Sequence, residues 1–335
     1  LKQESVARFI ARMERKRVYG GHEISISDLI ASPQALVQDL REDGASSVRP
    51  YLQIIDSVRD RDSYTGFRLI DIWRYFRLSW ALPYKPSPGR NLYFLVRDAR
   101  GTRHPVMGIA ALGNSIVQIT SRDDAIGWTL TSMTERVNSM DEGSAAEALR
   151  AITKSIRRGI EDLDVTGLLP HGYSLPIDDE AIERLLRMAD GLTVAEPPPR
   201  VEMNANAATW KRLSHTPLYR RKRARTLAKL LKADKILRQA ESDSAITKLN
   251  RLLSSASGRT AIATGLQANK KEKIGANMMD IIVCGAIPPY NHLLAGKLVS
   301  LLMMSPEISQ AYQKRYHNAI SVIASGMKGE PVIRD

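Results

Sequence analysis

Between Lys211 and Arg238 stand Lys211, Arg212, Arg220, Arg221, Lys222, Arg223, Arg225, Lys229, Lys232, Lys235 and Arg238 against a single acid, Asp234. The whole chain carries +13, so this +10 cluster leaves only +3 for every other residue. The charge excess is one local feature. Drawn as a helix, Arg221, Lys222, Arg225, Lys229 and Lys232 share a face and Leu227, Leu230, Leu231 and Leu237 lie opposite. Clustered cations of one sign suit phosphate, because each neutralised phosphate releases a counterion and gives salt-sensitive, sequence-tolerant affinity. The expected contacts are Arg220, Arg221, Lys222, Arg223, Arg225, Lys229 and Lys232, with DNA preferred to RNA as partner. An acidic protein surface docked on a scaffold fits the same charge. Trp210 and Tyr219 flank the cluster, either as packing anchors or as platforms for bases.

Little else reads as catalysis. P-loop, HExxH, CxxC, GxSxG and dinucleotide fingerprints are absent. His22, His104, His171, His215, His292 and His317 lack ligand spacing, so no metal site and no cofactor is predicted. Cys284 lies in an apolar run, where a thiol is ordinarily inert. Asp60, Asp62, Asp98, Asp123 and Asp124 could surround magnesium as in a nuclease. Arg97 and Arg122 beside Asp98 and Asp123 favour structural ion pairs instead. The segment CGAIPPYNHLLAGKLVSLL predicts a strand, a turn and a helix. The first backbone N–H groups of that helix could hold a pyrophosphate near Gly296 and Lys297. Whether the chain is an enzyme stays open.

These residues need elements to hold them. At 335 residues, with 43% hydrophobic and 25% charged, the chain is long enough for about two globular domains. No apolar run approaches a membrane span; the best, Leu298 to Met304, contains a serine. A lone cysteine points to a reducing, cytoplasmic setting. The chain starts at Leu1, so its beginning says nothing of a leader. Residues 1–45 read as mainly helical, with Ser32 and Pro33 opening a helix, and 64–80 as a buried aromatic helix followed by the breaker PYKPSPGR. NLYFLVRD, HPVMGIAALG and SIVQIT read as a three-stranded meander. Residues 123–270 are helical in pattern, interrupted by a proline-rich linker at 194–207. MMDIIVCGAI is a strand, His292 to Met304 a helix, Pro306 to about Tyr316 a helix, and ISVIAS a last strand, so soon before Asp335 that a further C-terminal piece is expected. The organisation expected is an N-terminal helical region (1–63), an α/β core in two parts (64–130 and 278–335), and a helical insertion (131–277) carrying the basic helix at about 211–238.

The blocks DIWRYFRLSW, PGRNLYFLVRDARGTRHPVMGIAALGNSIVQITSRDDAIGWT, YNHLLAGKLVSLLMMSPEISQAYQKRY and SVIASGMKGEPVIRD occur in an order that resembles the A component of the Druantia anti-phage defence system. The resemblance covers about 64–130 and 278–335. It implies a bacterial defence operon with a helicase-like partner, assigns no reaction, and leaves homo-oligomerisation open. Arg122, Asp123, Gly127, Trp128, Asn291, Gly296 and Lys297 lie in its distinguishing motifs and, with Tyr290, are pocket candidates. The order of elements is also similar to an N-acetyltransferase-like fold: an α/β (α+β) class with an antiparallel-to-mixed sheet, interrupted by a large helical insertion. The alternative activity it implies is acyl-CoA or nucleotide binding at 288–297. There the nearest frame of the acyltransferase loop runs from His292 through Ala295 and Gly296, but its last small residue is Lys297.

Overall fold

The computed structural model describes residues 4–82, 89–197, 199–202, 205–294 and 296–333, so most of the breaker stretch (83–88), part of the proline-rich linker and Ala295 lie outside the described residues. The chain folds as two units, Leu1–Ser115 with Met279–Tyr316, and Ile116–Met278 with His317–Asp335.

The first unit begins with α1 (Glu4–Glu14), burying Phe9 and Met13. The helical expectation for 1–45 then fails at β1 (Arg17–Tyr19) and β2 (His22–Ile24), a hairpin turned at Gly20 and Gly21. Both glycines have positive φ, which a tight two-residue hairpin turn demands. α2 (Pro33–Asp43) follows the expected cap, the Ser32 hydroxyl accepting from the Ala35 N–H. β3 (Pro50–Ile54) is an edge strand that the sequence reading missed. α3 (Leu69–Leu78) is the predicted aromatic helix; it buries Ile72, Trp73 and Phe76, and the Trp73 indole N–H donates to the Ala110 carbonyl at 2.9 Å.

β4 (Asn91–Asp98) and β5 (Val106–Asn114) pair as predicted, but SIVQIT is not a third strand. The Arg122 guanidinium donates to the Ile116 and Val117 carbonyls, and the place beside β5 is taken by a strand from far downstream.

Between them lies the helical second unit: α4 (Thr120–Ala125), α5 (Leu130–Val137), α6 (Glu142–Glu161), α7 (Asp179–Gly191), α8 (Ala207–Ser214), α9 (Pro217–Gln239), α10 (Ala245–Ser254) and α11 (Ala256–Asn277). Asp141, Asp178, Asn206, Ser244 and Ser255 cap their helices with side-chain oxygens. Leu149, Ile152 and Ile156 of α6, Leu185 of α7, Leu227 and Leu231 of α9, Leu249 of α10 and Ile262 of α11 form one core.

The chain returns as β6 (Met279–Ala286), whose Met279 pairs with Asn114, so the insertion leaves and re-enters at adjacent positions. The sheet runs β3-β4-β5-β6 and is antiparallel throughout, which resolves the antiparallel-to-mixed expectation. Both faces are buried: Leu92, Phe94 and Val96 of β4 join a cluster with Tyr290 and Val299, while Leu95 joins one with Phe9, Trp73 and Phe76. That double burial is why β4 and β5 read as nearly continuous apolar runs. The helix predicted over His292 to Met304 is instead split into α12 (Asn291–Leu294) and α13 (Lys297–Leu302). Gly296, left-handed at φ 77°, divides them. α14 (Pro306–Tyr316) is as predicted. The predicted strand ISVIAS is instead α15 (Val322–Lys328) in the second unit, because the Ser321 hydroxyl caps it by accepting from the Ala324 N–H. Among the described residues no helix is long and apolar enough to cross a membrane.

Candidate nucleic-acid interface

α9 is positioned from its inner side. Leu227, Leu230, Leu231 and Leu237 are buried, while Lys222, Lys229 and Lys232 are exposed and Arg220, Arg221 and Arg225 half-buried. Several cations of the 211–238 cluster are neutralised. Arg225 meets Asp190 at 2.6 Å, Lys235 meets Asp179 at 2.7 Å, and Arg238 meets Asp234 at 2.6 Å. Arg212, Arg220, Arg221, Lys222, Lys229 and Lys232 have no carboxylate at ion-pair distance among the described residues. Lys271 of α11 extends the same field, since burial and then the Lys229 charge hold its ammonium below the usual lysine range. Trp210 and Tyr219 are buried and cannot stack on bases; the Trp210 indole N–H donates to the Ala205 carbonyl at 3.1 Å.

Arg223 does not belong to this surface. Fully buried, it turns inward and donates through Nη1 to the Asp164 backbone carbonyl, with the Asp164 carboxylate 3.3 Å away. Its Nε and Nη2 have no hydrogen-bond partner. Lys211 also reaches Asp164, at 2.8 Å, as do the Ser214 hydroxyl at 2.8 Å and the Thr166 N–H at 3.0 Å. Burial would raise the Asp164 carboxyl, but the Lys211, Thr166 and Ser214 hydrogen bonds outweigh it and hold it well below the usual carboxylate range. A helical wheel weighs charge against apolar spacing and has no means of marking an arginine that pairs inward.

A second cationic surface escaped the sequence reading. Arg150, Lys154, Arg157 and Arg158 of α6, with Lys248 of α10, line a groove of about 570 Å³ with Leu149, Thr153 and the single acid Glu161. Net charge hid it, because Glu142, Glu147 and Glu161 nearly cancel the helix total. The spacing of Arg150, Lys154 and Arg157 was the available signal.

The pocket candidates divide between the units: Arg122, Asp123, Gly127 and Trp128 in the helical one, and Tyr290, Asn291, Gly296 and Lys297 in the sheet-bearing one. Asp123 is buried; Arg122 at 2.8 Å and Lys270 of α11 at 3.0 Å keep its carboxyl low against the opposing effect of burial. Its backbone carbonyl accepts from the Trp128 N–H at 2.7 Å. These contacts fasten α4 to α11. Tyr290 is buried and donates to Asp98 at 2.8 Å; burial and then Asp98 drive its hydroxyl well above the usual tyrosine range. Asn291 is half-buried and Lys297 exposed, and the split helix after the turn leaves only four- and six-residue pieces to present N–H groups to a pyrophosphate. Of the carboxylates considered for magnesium, Asp62 meets Arg97 at 3.0 Å, and Asp98 accepts from Tyr290 and from the Arg49 and Arg100 N–H groups. Arg97 therefore pairs with Asp62 and not with its neighbour Asp98. Among the described residues no group of three His, Cys, Asp or Glu is placed to hold a metal.

No solved structure matches the chain. A curated relative, "Druantia protein DruA" of Escherichia coli (strain UMEA 4076-1), is 42% identical over 52 residues, 16% of this chain and 13% of the relative. The chain thus aligns with only about an eighth of that relative's length. The model of the family described as "Druantia protein DruA" matches residues 19–148 and 255–332, which includes every strand of the four-stranded sheet and leaves most of α6 and all of α7 to α10 unmatched. With more than half of its residues matched, the chain belongs to the Druantia protein DruA family.

Proposed function

We propose that this protein is a component of the Druantia anti-phage defence system that binds nucleic acid, DNA in preference to RNA, through the outward face of α9, beside a helicase-like partner. One observation carries the reading: Arg221, Lys222, Lys229 and Lys232 lie along one side of a helix whose other side is packed, and no carboxylate neutralises them among the described residues. Unpaired cations in a row are poised to exchange counterions for phosphates. Arg223 is excluded from the contact set by its burial. The face lies outside the family-matched residues, so it is a property of this chain and not one inherited from the match.

The test is fluorescence anisotropy with single-stranded and duplex DNA and RNA over a salt series. Wild-type affinity is expected to fall linearly on logarithmic axes. Arg221→Glu, Arg225→Glu, Lys229→Glu and Lys232→Glu combined should weaken duplex binding at least about a hundredfold at low salt, and duplex DNA loses about 0.9 of slope per phosphate contact removed. Binding that ignores salt, or keeps its wild-type affinity after the reversal, rejects the reading. Absence of binding to any nucleic acid assigns the face to an acidic protein partner.

A further inference from the structure

We propose that the groove on α6 is a second nucleic-acid track, in which Arg150, Lys154, Arg157, Arg158 and Lys248 take the phosphates of a backbone. It rests on the reading that the helical unit binds nucleic acid. Five cations face one carboxylate, Glu161, around about 570 Å³ of open groove. At 1.5 Å of rise per residue, Arg150, Lys154 and Arg157 form a row about 10 Å long on one stripe of the helix. The uncharged lining is Leu149 and Thr153, with no aromatic ring on which a base could stack, so the chemistry recognised is charge along a backbone and not base identity.

The groove is also joined to α9. Arg157 at 3.6 Å and Arg238 of α9 at 2.6 Å share the one buried carboxylate of Asp234, and both guanidinium groups remain partly exposed. Two cations divided over one acid leave positive charge at the seam. Arg158 is held by Glu272 of α11 at 2.7 Å, whereas Arg150, Lys154 and Lys248 have no carboxylate at ion-pair distance among the described residues. Those three can be changed without stranding a buried acid.

The experiment compares wild type with an α6 variant (Arg150→Gln, Lys154→Gln, Lys248→Gln) and an α9 variant (Lys222→Gln, Lys229→Gln, Lys232→Gln), measuring duplex and single-stranded DNA binding against salt. For the α6 variant the expected result is an affinity loss of about ten- to hundredfold at low salt and a duplex slope shallower by about 2–3. A variant that keeps the wild-type slope and affinity overturns the α6 track. Loss in the α9 variant alone likewise overturns it while sparing the α9 reading. Loss in the α6 variant alone upholds the groove and rejects α9 as the contact face. No wild-type binding overturns both.

Amine acetylation of the wild type with and without DNA supplies a readout that needs no variant to fold. Lys154 and Lys248 should be protected by DNA. Equal labelling, or protection by poly-glutamate but not by DNA, overturns the proposal.

Discussion

Each unit buries an arginine beside an aspartate, and the two pairs are built in opposite ways. In the sheet-bearing unit Arg97 is the hub. Its Nε donates to the His104 carbonyl, Nη1 to Gln53 and Asp62, and Nη2 to Asp62 and the Arg103 carbonyl, so all five donors are used. Those bonds tie β4 to β3 and hold the turn at Arg103 and His104, both at positive φ. In the helical unit the carboxylate is the hub. Asp164 receives Lys211, Ser214, Thr166 and Arg223, and Arg223 leaves Nε and Nη2 unpartnered. The helical unit thus has a buried anion as its most heavily shared group, while the sheet organises its strands around a buried cation.

Removing the hub should cost far more than removing the satellite. Arg97→Met would leave the Asp62 charge buried with Thr65 as its remaining donor and strand the carbonyls of Arg103 and His104; a loss of about 3–5 kcal/mol is expected. Asp164→Asn should cost a similar amount in the helical unit, for it uncouples Lys211 and Arg223 together. Arg223→Met, which removes a cation already missing two bonds and leaves Asp164 with Lys211, Ser214 and Thr166, should cost about 1–2 kcal/mol. Urea unfolding followed by separate probes in the two units measures all three, since two units need not unfold in one step. If Arg223→Met proves as damaging as Arg97→Met, the contrast between the hubs is broken.

Acid sharpens the same contrast at smaller cost. The Asp164 and Asp123 carboxyls are depressed in the folded protein relative to 3.8, so the folded state binds fewer protons than the unfolded chain at these sites. Their stabilisation is fully present above the ordinary carboxylate value and is lost as pH falls through it towards the folded values. The helical unit should therefore weaken progressively below about pH 4, and Asp164→Asn should flatten that loss. Circular dichroism of the helical signal between pH 6 and pH 2, for wild type and variant, tests the sign. A variant as acid-sensitive as wild type would move the titration elsewhere.

What the sequence made legible follows from what each residue type encodes alone. Ser32 with Pro33, the apolar runs of β4, β5 and β6, and the amphipathic leucines of α9 are local signals, and each became the expected element. Adjacency of β5 and β6 across the insertion, Ile116 to Met278, was not legible as a pairing because no local pattern encodes which distant strand fills a vacant edge. The same vacancy made SIVQIT look like a strand, since Ile116, Val117 and Ile119 have strand composition, while Arg122 takes the carbonyls of Ile116 and Val117 and the Asp123 N–H donates to that of Ile119. For the charged surface, the count found α9 because its cations are in surplus, and missed α6 because glutamates on the same helix balance the sum. Arg223 was misplaced for the converse reason, that its partner Asp164 is remote in sequence.

The smallest expected effect separates charge that is present from charge that is available. Arg225 lies on the α9 stripe, but Asp190 at the end of α7 holds it at 2.6 Å, with side-chain exposures of 42% for the arginine and 71% for the aspartate. An ion pair that exposed contributes little to stability, so Asp190→Asn should leave the unfolding midpoint nearly unchanged. For a phosphate approaching α9 the same substitution removes a repelling carboxylate and frees a guanidinium able to donate in a bidentate way. Affinity for duplex DNA should rise about two- to fivefold at low salt, with the gain shrinking at 200 mM as screening sets in. Asp179→Asn, which frees Lys235 further along the helix, should raise it less, because Lys235 is only 22% exposed. Unchanged binding in the Asp190 variant would mean that the backbone does not pass Arg225, and would confine the α9 contact to Arg221, Lys222, Lys229 and Lys232.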